Sequence, residues 1–172
     1  MKRFVFGFLI VFVIAPNFIQ AQNAAACADS TDYIRFRKLW NEKVGIFKES
    51  SWELPEIDFS RQTSESFEFT HVLTRLGITF MATVTKESCL NKISLVVKKD
   101  DGLAMQDLIA TLNLADILCH DVNSTERQLK IETIKKEALE KKKPSSGKVG
   151  KYKFFYESGM IVNVLTVQVS DN

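Results

Sequence analysis

The chain has 172 residues, 45% of them hydrophobic, with 23 Lys and Arg against 21 Asp and Glu. That length suits one domain with a real hydrophobic core. The near-balance of charge excludes a global bias toward nucleic acid or an anionic membrane surface, so such a partner would need a local patch.

Lys2 and Arg3 form a short positive region, and Phe4 to Ala15 is a twelve-residue run with neither charge nor hydrogen-bonding side chain. Pro16 and Asn17 end that run, and Ala21 offers a small residue for cleavage. This is the layout of a secretory signal peptide over residues 1–21, and the run is short for a membrane span, which takes about 20 apolar residues. No later stretch is apolar enough to cross a bilayer, so no stable span is expected after cleavage. Loss of Lys2 and Arg3 takes the 23 basic residues to 21, equal to the 21 acidic ones, and leaves a formally neutral mature chain. The expected location is exported, either periplasmic or secreted.

Residues 22–29 are small and polar and are expected to form a flexible tail, followed by a single domain over 30–172. A helix is expected from about Ser30, a candidate N-cap, with Tyr33, Phe36, Trp40, Val44 and Phe47 recurring at spacings of three and four along one apolar face. Residues 50–65 read as irregular. Phe67, Phe69, His71 and Leu73 then alternate with polar residues, as do Ile78, Phe80, Ala82 and Val84. After a turn over Lys86–Asn91, Ile93, Leu95 and Val97 repeat the pattern. These three segments read as an antiparallel meander. A helix over about Leu103–Cys119 and another over about Thr125–Lys142 follow. Asn123 or Thr125 is placed to cap the second, and Glu126–Lys130, Glu132–Lys136 and Glu137–Lys141 have the favourable i,i+4 order. Pro144–Gly147 reads as a loop. Two final strands follow, one around Tyr152–Glu157 and one over Met160–Val169. The predicted order is α-β-β-β-α-α-β-β: a single small α+β domain with a sheet of about five strands packed against helices.

An odd set of three cysteines, Cys27, Cys89 and Cys119, in an exported chain implies one disulfide and one leftover thiol. Cys89 and Cys119 both fall inside the expected domain and are the expected pair. Cys27, after Ala24-Ala25-Ala26, sits in a poor version of a bacterial lipobox, where a lipid anchor is the alternative to a free tail.

No catalytic, cofactor or metal motif emerges. His71 falls on an apolar strand face, the place of a core histidine. Asp116 and His120, four apart and beside Cys119, could begin a metal site but lack a second ligand pair. Ser146-Gly147-Lys148 lacks the first glycine and the Ser or Thr of a phosphate loop and leads from helix to strand, the wrong way round. Asn123-Ser124-Thr125 fits a glycosylation acceptor, though helix capping explains the same residues. What remains is a lysine cluster, Lys135, Lys136, Lys141, Lys142, Lys143, Lys148, Lys151 and Lys153, interleaved with aromatics. Within it Lys148, Lys151, Tyr152, Lys153 and Phe155 are the expected contacts for a protein partner, and their charge favours an acidic one. The C-terminal hairpin is expected to supply an exposed sheet edge beside them.

The sequence thus points to an exported, non-enzymatic protein-binding domain of the bacterial periplasm or cell exterior: an inhibitor, immunity-type protein, chaperone or accessory subunit. The alternative is a small-ligand or sensor module with a pocket between the sheet and the Leu103–Cys119 helix. The leader has a direct check. Intact mass of the exported protein should lack residues 1–21, or a few more, and a mature chain still starting at Met1 would overturn it.

Overall fold

Period-two patterning builds two three-stranded meanders that meet in the middle of one sheet. The computed structural model describes residues 27, 30–47, 52–73, 77–99 and 104–170. The expected leader and, apart from Cys27, the expected tail up to residue 29 lie outside the described residues. The first meander is β2 (Ser66–Leu73), β3 (Ile78–Thr85) and β4 (Cys89–Lys98); the second is β5 (Ser145–Val149), β6 (Tyr152–Ser158) and β7 (Val162–Val169). A two-residue strand, β1 (Thr31–Asp32), pairs with the start of β4. The order across the sheet is β2-β3-β4-β7-β6-β5, all antiparallel. β4 and β7 pair from Lys92↔Gln168 to Lys98↔Val162, with Leu95 opposite Leu165 at the centre. Each half runs helix, outer strand, middle strand, inner strand, so the two share one topology about an axis through that leucine pair.

Among the described residues, three α-helices cover one face of the sheet. α1 (Tyr33–Gly45) is capped by Asp32, whose carboxylate accepts from the Ile34 amide, two residues later than the expected Ser30. Its stripe of Tyr33, Phe36, Trp40 and Val44 is buried, and Phe36 and Trp40 pack on Phe80 of β3. Phe47 falls past the helix end and packs instead on Trp52. α2 is Ala104–Leu118, and α3 is Ser124–Lys141. Asn123 caps α3 by accepting from the amides of Thr125 and Glu126 at 2.9 and 3.4 Å. Arg127, Ile131, Ile134 and Ala138 form its buried stripe, the narrow edge that its sparse apolar pattern allows. Among the described residues no helix is long and apolar enough to cross a membrane.

Ion pairs fasten the helices to one another. Asp116 on α2 accepts from Lys43 of α1 and from Arg127 of α3. Arg127 also donates to the carbonyls of Cys119 and Val122 at 2.9 and 3.0 Å, occupying acceptors left over at the end of α2. Lys135 Nζ lies 2.8 Å from Asp107 and 5.2 Å from the Tyr156 ring centroid, and both charged side chains are largely buried. Removing one member of such a buried pair costs about 3–5 kcal/mol, because the other charge stays buried and unpaired.

Two expectations about the sheet change. It has seven strands rather than about five. β5 occupies most of what reads as a loop after Pro144. Its pattern carries little strand signal because Gly147 stands where a Cβ would lie 2.9 Å from Ile134 Cδ1 of α3. The C-terminal hairpin is also not the sheet edge: β7 is held between β4 and β6, and the outermost strands are β2 and β5.

The expected Cys89–Cys119 bridge is replaced by Cys27–Cys89, with Cα atoms 5.3 Å apart. The pairing of Thr31 with Leu90 and of Asp32 with Cys89 carries the chain before α1 along the head of β4, and so brings Cys27 to Cys89. With its sulfur in that bond, Cys27 has no thiol to lipidate. Cys119 is buried and free, its thiol donating to the Val149 carbonyl at 3.3 Å. The bridge spans a sequence separation of 62, which in the chain-entropy model is worth about 4 kcal/mol. Cys89→Ser should therefore lower unfolding stability by about 2–4 kcal/mol, read from urea denaturation. Non-reducing peptide mapping should recover Cys27 joined to Cys89, and a thiol reagent should label Cys119 only after denaturation.

Candidate functional site: a basic corner at the β5 edge

With every helix on one face, the opposite face of the sheet is left uncovered among the described residues. Strand alternation decides which side chains reach it. The register forms a continuous row across the sheet on that face: Lys148↔Lys153 on β5 and β6, Lys153↔Gln168, Gln168↔Lys92 on β7 and β4, then Lys92↔Thr83 and Thr83↔Glu68. Two lysines of the row, Lys148 and Lys153, lie at the β5 end, Lys92 lies mid-row, and the one carboxylate lies at the far end. The next row holds Ser146, Phe155, Thr166, Ser94, Met81 and Thr70 in order. Ser94 and Thr166 share a hydrogen bond of 3.0 Å. Met81 is exposed and Phe155 half-buried, so apolar area lies beside the lysines. A shallow depression on the same face is lined by Glu68, Met81, Ala82, Thr83, Lys92 and Ser94.

The five expected contact residues divide. Lys148, Lys153 and Phe155 share the uncovered face, with Lys153 Nζ 4.7 Å from the Phe155 ring centroid. Lys151 is exposed in the β5–β6 turn, which positive φ at Gly150 makes possible, and its Nζ lies 5.5 Å from the Tyr152 ring centroid. Tyr152 points the other way. It is 3% exposed, shares a hydrogen bond with the Thr31 hydroxyl, and has its phenol pKa raised by burial. It supports the hairpin from within and presents no surface.

The lysine cluster also divides by charge. Lys135 is neutralised by Asp107, Lys136 by Glu140 and Lys141 by Glu137, while Lys130 pairs with Glu126 as expected. Glu132 takes the Gln128 amide in place of the expected Lys136. Glu137 is held below the ordinary carboxylate range by hydrogen bonds from Ser145 and Lys141. Among the described residues no carboxylate pairs with Lys142, Lys143, Lys148, Lys151 or Lys153. Lys142 and Lys143 precede β5, Lys148 lies on it and Lys151 follows it. These five lysines surround one edge strand and outnumber the two carboxylates near it: Glu157, exposed on the same face of β6 as Lys153, and Asp121, whose Oδ1 would lie 3.4 Å from a Cβ at Gly150. Lys92 shares their row through the β4–β7 pairing, which nothing local in the sequence reveals, but stands two strands from Lys153 and two from Glu68, with which it lines the depression.

The other candidate groups are dispersed among the described residues. Asp116 is occupied by Lys43 and Arg127, and His120 is exposed in the turn after α2. Among the described residues no three His, Cys, Asp or Glu side chains converge on a metal-sized site. Burial pushes the Cys119 thiol up to about 12, which disfavours the thiolate a nucleophile needs. His71 is half-buried opposite Phe80 on the core face. No family model, no curated protein and no solved structure matches this chain.

The hydrogen bond from Lys43, with the nearby charges of Lys43 and Arg127, holds the Asp116 carboxyl below its ordinary value against the opposing effect of burial. A depressed carboxyl stabilises the fold above its unfolded pKa of about 4, and that contribution is lost as pH falls through the lower folded value. Asp116→Asn should therefore narrow the difference in urea midpoint between neutral and acid solution. An unchanged difference would remove Asp116 from the acid response.

Proposed function

We propose that this protein is an exported, non-enzymatic protein-binding domain, acting in the bacterial periplasm or cell exterior, that presents the uncovered sheet face and its basic corner to an acidic protein partner. One observation carries the reading. In a mature chain of balanced charge, five lysines without a carboxylate partner among the described residues lie along and beside β5, near a half-buried Phe155, against two carboxylates, Glu157 and Asp121. Charge of one sign steers association and suppresses wrong partners, while an aromatic in its midst supplies contact area. An inhibitor, immunity-type protein, chaperone or accessory subunit would use such a surface. The alternative ligand pocket between sheet and α2 is less well supported, because Leu114, Ala115, Leu118 and Cys119 are fully buried in the common core there.

The test is comparative. The native chain, a Lys148→Glu/Lys153→Glu variant and a control Lys130→Glu/Lys136→Glu variant are cross-linked in native envelope extract and read by mass spectrometry. The native and control chains should capture the same protein, with capture falling as salt rises, and the corner variant should lose it while melting within about 2 °C of native. Equal capture by all three would overturn the proposal.

A further inference from the structure

The uncovered face is bounded by two outer strands, and they differ. β2 carries Glu68 on that face, and Phe67 on its core face packs against Phe59 of the preceding segment. β5 has its neighbour β6 on one side only, and its outward backbone groups have no partner among the described residues. Ser146 and Lys148 are exposed on the uncovered face. On its other face, β5 lies under α3, where Glu137 accepts from Ser145 and pairs with Lys141, and where Glu126 pairs with Lys130. Along α3 the charges beside the edge are paired, whereas Lys142 and Lys143 at the helix end and Lys148 on the open face are not, and Glu157 on β6 is the carboxylate nearest them on that face.

We infer that β5 takes an extended acidic segment of the partner by strand addition, with carboxylates on the uncovered-face side beside Lys148 and toward Lys142, Lys143 and Lys151 at the two ends. This rests on the acidic-partner reading above and specifies its mode. Backbone pairing supplies affinity, and alternation supplies selectivity, because only every second residue of the added strand meets the lysines. Uncharged small residues of the segment would face the balanced rim of α3. The five residues of β5 set the paired length, a span of about 17 Å. The opposing account is that Lys148 protects a bare edge against pairing, and the two make opposite predictions for its removal.

The probe is a short peptide alternating Glu and Thr, titrated into the isotope-labelled full chain and read by amide shifts and hydrogen exchange. Two twins carry N-methyl groups on alternate residues, one on the Glu set and one on the Thr set. Neighbouring residues of a strand direct their amides to opposite edges, so only one twin is blocked. Binding should perturb and protect residues 145–149, weaken at least about tenfold in one twin and not the other, and weaken comparably in Lys143→Glu/Lys148→Glu. Equal binding by both twins and the parent would overturn strand addition while leaving the acidic-partner reading intact. So would failure of the parent peptide to bind when capture of the native partner still depends on Lys148 and Lys153. Tighter binding by Lys148→Thr would establish the protective role and overturn the inference. Loss of lysine-dependent capture altogether would remove the acidic-partner reading itself.

Discussion

The pairing of β4 with β7 is the contact on which the rest of the molecule depends. Each meander alone is three strands with one apolar face, and its inner strand would be a bare, hydrophobic edge. Joined from Lys92↔Gln168 to Lys98↔Val162, the two put Ile93, Leu95, Leu165 and Val167 side by side and turn two small apolar faces into one core. The same pairing brings Lys92 into line with Lys153 and Lys148. A non-local backbone contact thus determines both the core and the surface pattern opposite it.

Folding also redistributes charge. The chain is close to neutral as a sequence, but the helices draw many of their charges into mutual pairs. Asp116 holds α1 and α3 through Lys43 and Arg127, and Asp107 holds Lys135. Local pairs along α3 neutralise Lys130, Lys136 and Lys141. What is left uncompensated near α3 lies at its end and on the strands beyond. The corner is basic because its five lysines outnumber the two carboxylates beside it, Glu157 and Asp121, while the lysines of the helices are paired, a property of the folded chain that a count of residues does not contain.

The α+β class and the alternating faces of β2, β3, β4 and β6 were legible in the residues. So was the apolar stripe of α1, because repeating side-chain patterns report burial directly. β5 was not, since its central residue is a glycine tucked beneath Ile134. The edge assignment failed because chain order says nothing of which strand β7 will pair with. The disulfide failed for the same reason: Cys27 reaches Cys89 through two residues of β1, too short a strand to leave a pattern. Lys148, Lys153 and Phe155, expected as contacts from charge and interleaved aromatics, do share one face of the sheet. Tyr152, its neighbour, went to the core because consecutive strand residues take opposite faces, and the strand's phase was settled only by its partners.

Under the proposed export, in which the chain would cross a membrane N-terminus first, the position of the disulfide bears on the order of events. Cys27 would reach the oxidising side early and have no partner in the fold until Cys89 followed, 62 residues behind. By then α1, β2 and β3 would have emerged, and β4 would be beginning. Closure of this bond could therefore coincide with completion of the first half, before α2 and the second meander arrive. Cys119 would come later still, when both potential partners could already be consumed, so that sequential emergence would itself guard against the wrong pairing.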